Sequence, residues 1–334
     1  MKAAFIRRHG DPSVIEYGEM PEPTAGPGEV LVRVRAASLN RLDLYTRAGL
    51  RGSAVPDAEM PRILGGDGAG EVVALGEGVT GLDLEQRVVI NPLLAMDPAP
   101  RMLGTHAQGS DAELVAVPAA NAVPIPDALG YEQAAALPTV FLPAWAIVVR
   151  EGRLQPAETA MVLSASSGVG TAAVQVVKGV VGASCIAVTS TEDKVRRALE
   201  LGADHAINYT TEDLAERVKE ITDGRGADLV VDGTGALLFE AAYGSLARGG
   251  RYGVCGVTTG YRAQIHLGQL FTKQARLFGV FMGSSAELRE IVEAADDGRI
   301  RSVVHRTLPL SEAAQAHEEM ERAEHFGKFV LTVP

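Results

Sequence analysis

The sequence predicts an α/β protein in which a doubly wound parallel sheet follows a β-rich first part and precedes a shorter tail. Three observations predict this fold class. Up to about residue 126, short apolar strands alternate with glycine and proline, which is typical of a small barrel or sandwich. From about residue 160, apolar strands alternate with amphipathic helices, which is typical of a parallel sheet covered on both faces. After Leu277 this alternation stops, and we expect the tail to pack on the first part.

The first part contains four predicted strands. Residues 29–35 alternate between apolar and polar side chains with the period of two that a half-buried strand requires. Further short apolar strands, bounded by glycine or proline, are predicted at residues 70–76, 86–90 and 112–118. These short strands at close spacing favour a barrel or a sandwich.

The central part repeats a strand–helix unit. The predicted strands are residues 160–163, 184–189, 205–208, 228–232 and 250–255. The predicted helices are residues 132–137, 144–149, 169–181, 192–201, 214–221 and 239–246, and the tail adds a helix at 311–322 and a strand at 328–333. We therefore expect a β-rich domain formed by residues 1–126 and 276–334, and a dinucleotide-binding domain formed by residues 127–275.

Composition and charge exclude several classes of function. The chain has 334 residues, of which 46% are hydrophobic, and a formal net charge of -11, so we expect a soluble protein with a sizeable core. Nucleic acids and anionic membrane surfaces require a basic face, which this charge balance disfavours. Two cysteines in apolar runs, Cys185 and Cys255, indicate a reducing compartment. With no signal peptide pattern and no convincing membrane span, we expect a cytoplasmic protein.

A candidate phosphate loop follows the first strand of the central part. Ala165 and Ser167 stand where the G-x-G-x-x-G pattern has its first two glycines, and Gly170 is the third. Small residues let the backbone approach a pyrophosphate, whose charge then meets the N-terminus of the next helix. Glycine-rich turns also join many unrelated strands and helices, but the position before an alternating α/β run favours a nucleotide. The predicted loop residues are Ala165, Ser166, Ser167, Gly168, Val169 and Gly170.

The end of the second central strand indicates which dinucleotide is bound. NAD-binding folds often place a carboxylate there, on the ribose 2′-hydroxyl. This chain instead has Thr189 and Ser190, with Lys194 nearby. Hydroxyls and a lysine can accept a 2′-phosphate, so we expect NADPH. Alternatively, Ser190 only caps the next helix, with Asp193 as its partner in a capping box.

Together these residues resemble the medium-chain dehydrogenase/reductase superfamily. Segments in the order found in that family are residues 26–32, 39–45, 64–70, 134–145, 201–209, 224–228 and 326–331. The resemblance implies a Rossmann domain and a GroES-like catalytic domain built from the first part of the chain and the tail. It also implies a small-molecule carbonyl or quinone substrate.

The chain departs from the zinc alcohol dehydrogenases of that superfamily. Asn40 stands in place of a cysteine ligand and Gly66 in place of a histidine ligand, and Val140 and its neighbours supply no third ligand. The segment 91–109 lacks the four cysteines of a structural zinc lobe, and its His106 is more typical of a solvated loop residue. We therefore expect no metal.

The pattern is similar to the zinc-free quinone reductase branch, to which the pair Asn40 and Asp43 and the Leu137-Pro138 step point. We expect Asn40 and Tyr45 to orient or polarise a carbonyl oxygen. Asp43 positions Arg41 or the loop, or only caps a turn.

Other residues are expected to hold the cofactor. In similar enzymes a lysine in the position of Lys194 and a tyrosine in that of Tyr209 contact the 2′-phosphate; Tyr209 could equally be an aromatic cover for the core. Residues after later strands are expected to line the nicotinamide crevice, unless they serve ordinary strand-to-loop packing. The further cofactor-binding residues are Asp232, Thr234, Gly256, Val257, Thr258 and Lys328.

Three functions remain open on the sequence. The first is NADPH-dependent reduction of a quinone or an α,β-unsaturated carbonyl. The second is a zinc-free alcohol or aldehyde dehydrogenase, or an enoyl-thioester reductase. The third is a non-enzymatic NADPH-binding protein.

The sequence also predicts a homodimer. The apolar segment 264–281 is expected to be extended, and an exposed apolar strand at the edge of a sheet requires cover by another strand.

Overall fold

The computed structural model describes residues 1–334 and contains eighteen β-strands and ten α-helices. The strands are β1 Lys2–Ile6, β2 Ile15–Glu19, β3 Glu29–Ser38, β4 Arg62–Ile63, β5 Asp67–Leu75, β6 Arg87–Ile90, β7 Leu93–Ala95, β8 Arg101–Met102, β9 Leu114–Pro118, β10 Ala122–Pro124, β11 Thr159–Leu163, β12 Ser184–Thr189, β13 His205–Asn208, β14 Ala227–Asp232, β15 Leu246–Val254, β16 Arg276–Gly279, β17 Val304–Pro309 and β18 Lys328–Thr332. The helices are α1 Arg41–Ala48, α2 Tyr131–Ala135, α3 Pro138–Trp145, α4 Gly168–Gln175, α5 Glu192–Glu200, α6 Leu214–Ile221, α7 Ala236–Gly244, α8 Leu267–Lys273, α9 Ser285–Asp296 and α10 Ala313–Glu321.

The chain divides into two compact units. Unit 1 comprises residues 1–139, 284–296 and 302–334, and unit 2 comprises residues 140–283 and 297–301. The divisions expected at residues 126 and 275 therefore lie at 139 and 283 in the structure. The first division falls within α3 and the second directly precedes α9, so neither coincides with a linker that the sequence pattern could mark.

Unit 1 is built on a mixed sheet with the strand order β10-β6-β5-β3-β18-β17, and β9 pairs with β3 as well. Strand β3 has the predicted alternation, since Val30, Val32 and Val34 are fully buried while Arg33 is exposed. The C-terminal strand β18 pairs antiparallel with β3, placing Val330 opposite Ser38. Residues from both ends of the chain therefore meet where β3 ends, and α1 begins at that point.

Unit 2 contains six parallel strands in the order β13-β12-β11-β14-β15-β16. Every residue of the central strand β11 is buried, as expected of a strand covered on both faces. The strand order changes direction between β11 and β14, and the carboxyl ends of strands at such a switch point flank the ligand crevice of doubly wound folds. The α/β fold with a doubly wound parallel sheet is confirmed.

Local differences from the sequence predictions have physical causes. The cap of α5 is Thr191, whose side chain accepts the amide of Lys194, so the predicted cap by Ser190 is wrong. The segment 264–281 is not extended throughout, because α8 occupies its middle and only the short strand β16 follows. The predicted helix at 169–181 continues beyond α4 as a π-helical segment, Val176–Val181. No helix combines the length and apolar character needed to cross a bilayer.

Candidate active site

A cluster of buried polar side chains lies at the N-terminus of α1 in unit 1. Asn40 is the N-terminal cap of this helix, and its backbone amide donates to Oδ2 of Asp43 at 2.7 Å. The Asn40 side-chain amide nitrogen donates to Oδ2 of Asp67 at 2.9 Å and to the carbonyl oxygen of Ser38 at 3.3 Å. Both hydrogens of this amide are therefore engaged inside the protein.

Asp67, the first residue of β5, joins the members of this cluster. It is completely buried. Its Oδ1 accepts hydrogen bonds from the backbone amide and the hydroxyl of Thr139, at 3.2 and 2.7 Å. Its Oδ2 accepts from Asn40 and, at 3.4 Å, from Nζ of Lys328. The sequence prediction missed Asp67, although a lone carboxylate among the glycines of a buried strand is an available signal.

Lys328 lies in this cluster, at the start of β18. Its Nζ donates to the carbonyl oxygen of Leu39 at 2.7 Å and to the side-chain oxygen of Asn40. Burial lowers the pKa of this ammonium from its ordinary 10.5, while the charges of Asp67 and Asp43 act in the opposite direction. Lys328 was predicted among the cofactor-binding residues; in the structure, its three hydrogen bonds are to atoms of unit 1.

Two further carboxyl groups complete the cluster. Burial raises the pKa of Asp43 to about 7, against the hydrogen bond from the Asn40 amide. Asp111, which the sequence did not reveal, is buried, and neither of its carboxyl oxygens has a hydrogen-bond partner. Burial, with the nearby charges of Asp43 and Asp67, raises the pKa of Asp111 well above 3.8. Asp111 therefore keeps its proton to a higher pH than an exposed aspartate does.

Tyr45, the third predicted catalytic residue, lies on α1 one turn beyond the cap. Its side chain is half-buried. The guanidinium carbon of Arg51 lies 4.7 Å from the centroid of its ring, within cation–π distance. The Tyr45 hydroxyl makes no hydrogen bond within the protein, so it keeps a donor for a ligand.

The predicted phosphate loop connects β11 to α4 in unit 2. Ser167 caps the helix by accepting the amide of Gly170 at 3.0 Å. A Cβ at Gly170 would lie 2.1 Å from the carbonyl oxygen of Ser164, so only glycine fits this approach of helix to strand. Ala165 and Ser166 are buried, and Gly168 and Val169 form the first turn of α4. This cradle fits the dinucleotide phosphate that the sequence predicted.

The residues predicted around the ribose come together at the ends of β12 and β13. Thr189 is buried, and its hydroxyl oxygen has no hydrogen-bond partner in the protein. The carbonyl oxygen of Ser190 accepts from the Thr210 hydroxyl at 3.3 Å. Tyr209 packs partly against the core of the unit. An orphaned hydroxyl at the end of this strand fits a polar group of a bound nucleotide.

The carboxylates near this point are already engaged. Glu192 accepts a hydrogen bond from the Asn208 side chain at 2.6 Å. Asp193 forms an ion pair with Arg196. Each carboxylate thus has one partner within the protein, and β12 itself ends on Thr189 with no carboxylate.

The residues predicted near the nicotinamide differ in their burial and in their hydrogen bonds. Asp232 is completely buried and accepts from the Thr234 amide and hydroxyl and from the Tyr252 hydroxyl, so it orders the strand end rather than presenting a free acceptor. A Cβ at Gly256 would lie 2.6 Å from the carbonyl oxygen of Gly233. The following residues, Val257 and Thr258, form the loop after β15, where Thr258 is exposed.

Comparison with known proteins identifies the family. Residues 26–127 match the alcohol dehydrogenase GroES-like domain, and residues 168–297 match the zinc-binding dehydrogenase family. A quinone oxidoreductase of Pseudomonas aeruginosa is 32% identical over 97% of each chain. The chain belongs to the medium-chain dehydrogenase/reductase superfamily. It is therefore an oxidoreductase of a family that binds nicotinamide dinucleotides.

Two other relatives carry a different name. An NAD-dependent alcohol dehydrogenase of Sulfolobus acidocaldarius is 29% identical over the whole of both chains. A crystal structure of an NAD-dependent alcohol dehydrogenase superposes with a TM-score of 0.94 at 41% identity, again over the whole of both chains. Relatives of this chain are thus named for both quinone and alcohol chemistry.

The residues present do not fit the zinc of the metal-dependent members. Asn40 offers an amide whose oxygen already accepts from the Lys328 ammonium, and Gly66 offers no side chain. His106 is exposed, and its Nδ1 accepts from the backbone amide of Met102 at 3.0 Å. No group of three or more His, Cys, Asp or Glu residues is arranged to hold a metal ion.

Proposed function

We propose that this chain transfers a hydride from NADPH to a quinone or an α,β-unsaturated carbonyl compound without zinc. The observation that carries the proposal is the hydrogen bond from Lys328 to Asn40. It places a positive charge next to the side chain that stands in place of a metal ligand. A bound nicotinamide dinucleotide supplies the hydride. The residues of this chain bind it, orient the substrate and exclude water.

The choice of substrate follows from electrostatics. A zinc ion acts as a Lewis acid that stabilises an alkoxide, and no such ion fits here. A quinone or enone spreads the developing negative charge by conjugation, so a few hydrogen-bond donors are sufficient. The half-buried Tyr45 hydroxyl is the available donor, because the amide of Asn40 already uses both of its hydrogens. Asn40 is then a positioning residue for this end of α1.

The preference for NADPH rests on the ends of β12 and β13. Thr189 and Ser190 stand where a carboxylate would select the ribose hydroxyl of NADH, and the carboxylates that follow them, Glu192 and Asp193, each have a partner in Asn208 and Arg196. Lys194, in the first turn of α5, adds a positive charge suited to a 2′-phosphate.

Comparison of three substrates tests this reaction. Wild type, Tyr45→Phe and the control Tyr17→Phe, which alters an exposed tyrosine of unit 1, are assayed with a small quinone, an enone and a primary alcohol. We expect the conjugated acceptors to be the better substrates. Tyr45→Phe should lower kcat/KM for them by roughly 10²–10³, with the control unchanged. A primary alcohol as best substrate, or an unaffected Tyr45→Phe, contradicts the proposal.

Zinc independence has its own test. Elemental analysis of the purified protein should show no stoichiometric zinc, and a chelator should change neither turnover nor the unfolding temperature. One zinc per chain, removed together with activity, would overturn this part of the proposal.

Zinc-free alcohol or aldehyde oxidation is the second candidate, because some relatives are named alcohol dehydrogenases. The substrate panel separates the two reactions. NADPH binding without turnover of any member of the panel, extended by an enoyl thioester, would instead support a non-enzymatic function.

We also propose that the chain forms a homodimer through the edge of the unit 2 sheet. Strand β16 lies at this edge. Around it Leu267 and Phe271 expose 69% and 73% of their surface, and Tyr261, Ile265 and Phe281 are exposed too. An apolar edge of this kind requires cover, and a second copy supplies the same strand and side chains.

A further inference from the structure

Lys328 extends its ammonium group into the interior of unit 1, where only 3% of the residue is exposed. Its Nζ contacts three oxygen atoms of different kinds: the backbone carbonyl of Leu39 at 2.7 Å, the side-chain amide oxygen of Asn40, and the carboxylate of Asp67 at 3.4 Å. An ammonium has three hydrogens and no acceptor, so each hydrogen has one partner. Carbonyl, amide and carboxylate oxygens are also the ligands of hard cations in proteins.

The charge of Lys328 is required by its surroundings. Asp67 is completely buried, and an ionised carboxylate in such a place is costly unless a cation pairs with it. Nζ of Lys328 is 3.4 Å from its Oδ2. The same ammonium opposes the rise in pKa that burial causes at Asp43, so its charge acts on two buried carboxyl groups.

The ammonium also determines which way the Asn40 amide faces. The Asn40 oxygen points to Lys328, and its nitrogen points to Asp67 and to the carbonyl of Ser38. If the amide were rotated by 180°, its NH₂ group would face the ammonium and its oxygen would face a carboxylate and a carbonyl. Each contact would then be donor against donor or acceptor against acceptor, so only one orientation is compatible with the network.

We propose that Lys328 supplies a tethered cation that occupies an oxygen-lined cation site in unit 1, in place of a metal ion, and thereby fixes the orientation of Asn40. A metal ion and this ammonium exclude one another, because both would require the same Asn40 and Asp67 oxygens. This inference concerns the folded protein without substrate, so its tests do not depend on the reaction proposed above.

A double-mutant cycle tests the charge pairing. Lys328→Met and Asp67→Asn should each lower the midpoint of thermal unfolding by roughly 10 °C, because each leaves one buried charge alone. The double variant should be more stable than either single variant. The control cycle uses Arg322 and Glu318, an exposed ion pair of the same unit at 2.7 Å, where small and additive effects are expected. Additive losses in the Lys328 cycle, or a double variant that does not fold, overturn the proposal.

Chemical rescue tests the cation site itself. Lys328→Ala removes three methylene groups and the ammonium, which together correspond to propylammonium. Added propylammonium should raise the unfolding midpoint of this variant along a saturating curve, whereas 1-propanol should not. Lys273→Ala is the matched control, because Nζ of Lys273 donates to two backbone carbonyls, at 2.6 and 2.7 Å, and to no carboxylate. No response to propylammonium, an equal response to propanol, or an equal rescue of the control overturns the proposal.

Solvent exchange of side-chain amides tests the orientation of Asn40. In Lys328→Met, the Asn40 amide hydrogens should exchange at least ten-fold faster than in wild type, with their NMR signals assigned from Asn40→Ala. The amide of Asn121 is the internal control, since it donates to the carbonyls of Asn91 and Leu93 in the same unit. Equal acceleration of both amides would indicate general loosening, and unchanged exchange at Asn40 would show that Lys328 does not hold it; either result overturns the positioning of Asn40 by Lys328.

Discussion

The backbone amide of Tyr209 donates a hydrogen bond to the carbonyl oxygen of Thr189 at 3.0 Å. This bond holds the ends of β13 and β12 side by side. The orphaned hydroxyl of Thr189 and the Tyr209 ring therefore lie next to each other at the carboxyl end of the unit 2 sheet. Residues that are predicted to surround the ribose from separate positions in the sequence meet at this end.

Lys194→Ala should therefore weaken NADPH binding by ten-fold or more, or roughly 1.4 kcal/mol, while NADH affinity stays nearly constant. The charge that is lost would act on the 2′-phosphate, which NADPH has and NADH lacks. Titration calorimetry with both cofactors measures the effect, and Lys219→Ala, an exposed lysine on α6, is the control. Equal losses for NADPH and NADH, or a wild type that prefers NADH, would refute the assignment.

Gly170→Ala should disrupt the phosphate loop. The added methyl group would lie 2.1 Å from the Ser164 carbonyl oxygen and 2.6 Å from the Ala165 Cα, so the backbone must move. Overpacking of this kind costs about 1–3 kcal/mol, and dinucleotide affinity should fall at least ten-fold. Gly244→Ala is the control, since nothing lies within 4 Å of its added Cβ. Unchanged affinity and stability in Gly170→Ala would show that the loop has room for a side chain at this position.

Asp111→Asn should change how stability depends on pH. The folded state raises the pKa of Asp111 above its ordinary 3.8, so the folded protein holds a proton that the unfolded chain has released. Above pH 4, stability therefore falls as pH rises towards the folded pKa, by up to about 1.4 kcal/mol per pH unit for each such proton. The asparagine variant should lose less stability between pH 5 and pH 8 in urea unfolding. Identical pH profiles would mean that Asp111 is not held as a neutral acid.

Phe271→Asp should separate the proposed dimer. A carboxylate in place of an apolar side chain that is 73% exposed would be buried on association, which is unfavourable. Sedimentation at micromolar concentration should show a dimer for wild type and a monomer for the variant. Leu199→Asp, on the exposed face of α5 in the same unit, should remain dimeric. A monomeric wild type would contradict the proposal directly.

Local patterns were sufficient to predict the fold and part of the site. The strands β12 and β13 have the predicted bounds, because apolar runs bounded by turn residues carry their own signal. The glycine at residue 170, the third of the G-x-G-x-x-G pattern, is likewise a local signal. The cap of α5 was misplaced by one residue, because Ser190 and Thr191 are chemically equivalent as caps and only the backbone conformation decides between them.

The polar cluster could not be predicted, because its members come from distant parts of the chain. Asn40 and Lys328 are 288 positions apart, and no spacing rule connects them. The prediction that Asn40 orients a carbonyl oxygen requires a free amide. The sequence does not show that Asp67 already accepts a hydrogen bond from this amide. Asp111 carries no sequence signal for its lack of partners, since that is a property of the surrounding packing.

The connectivity of unit 1 has a consequence for folding order. Strand β3 receives its partner β18 only after the intervening residues of unit 2 have been made, and closing so long a loop is entropically costly before its contacts form. Unit 2 is almost continuous in sequence and is able to form earlier during synthesis. Until β18 arrives, Asp67 has no ammonium partner, and the last residues of β3, Ala36–Ser38, lack the strand that pairs with them beyond β9. In this interval the open end of β3 is the part of the sheet that is able to pair with another chain.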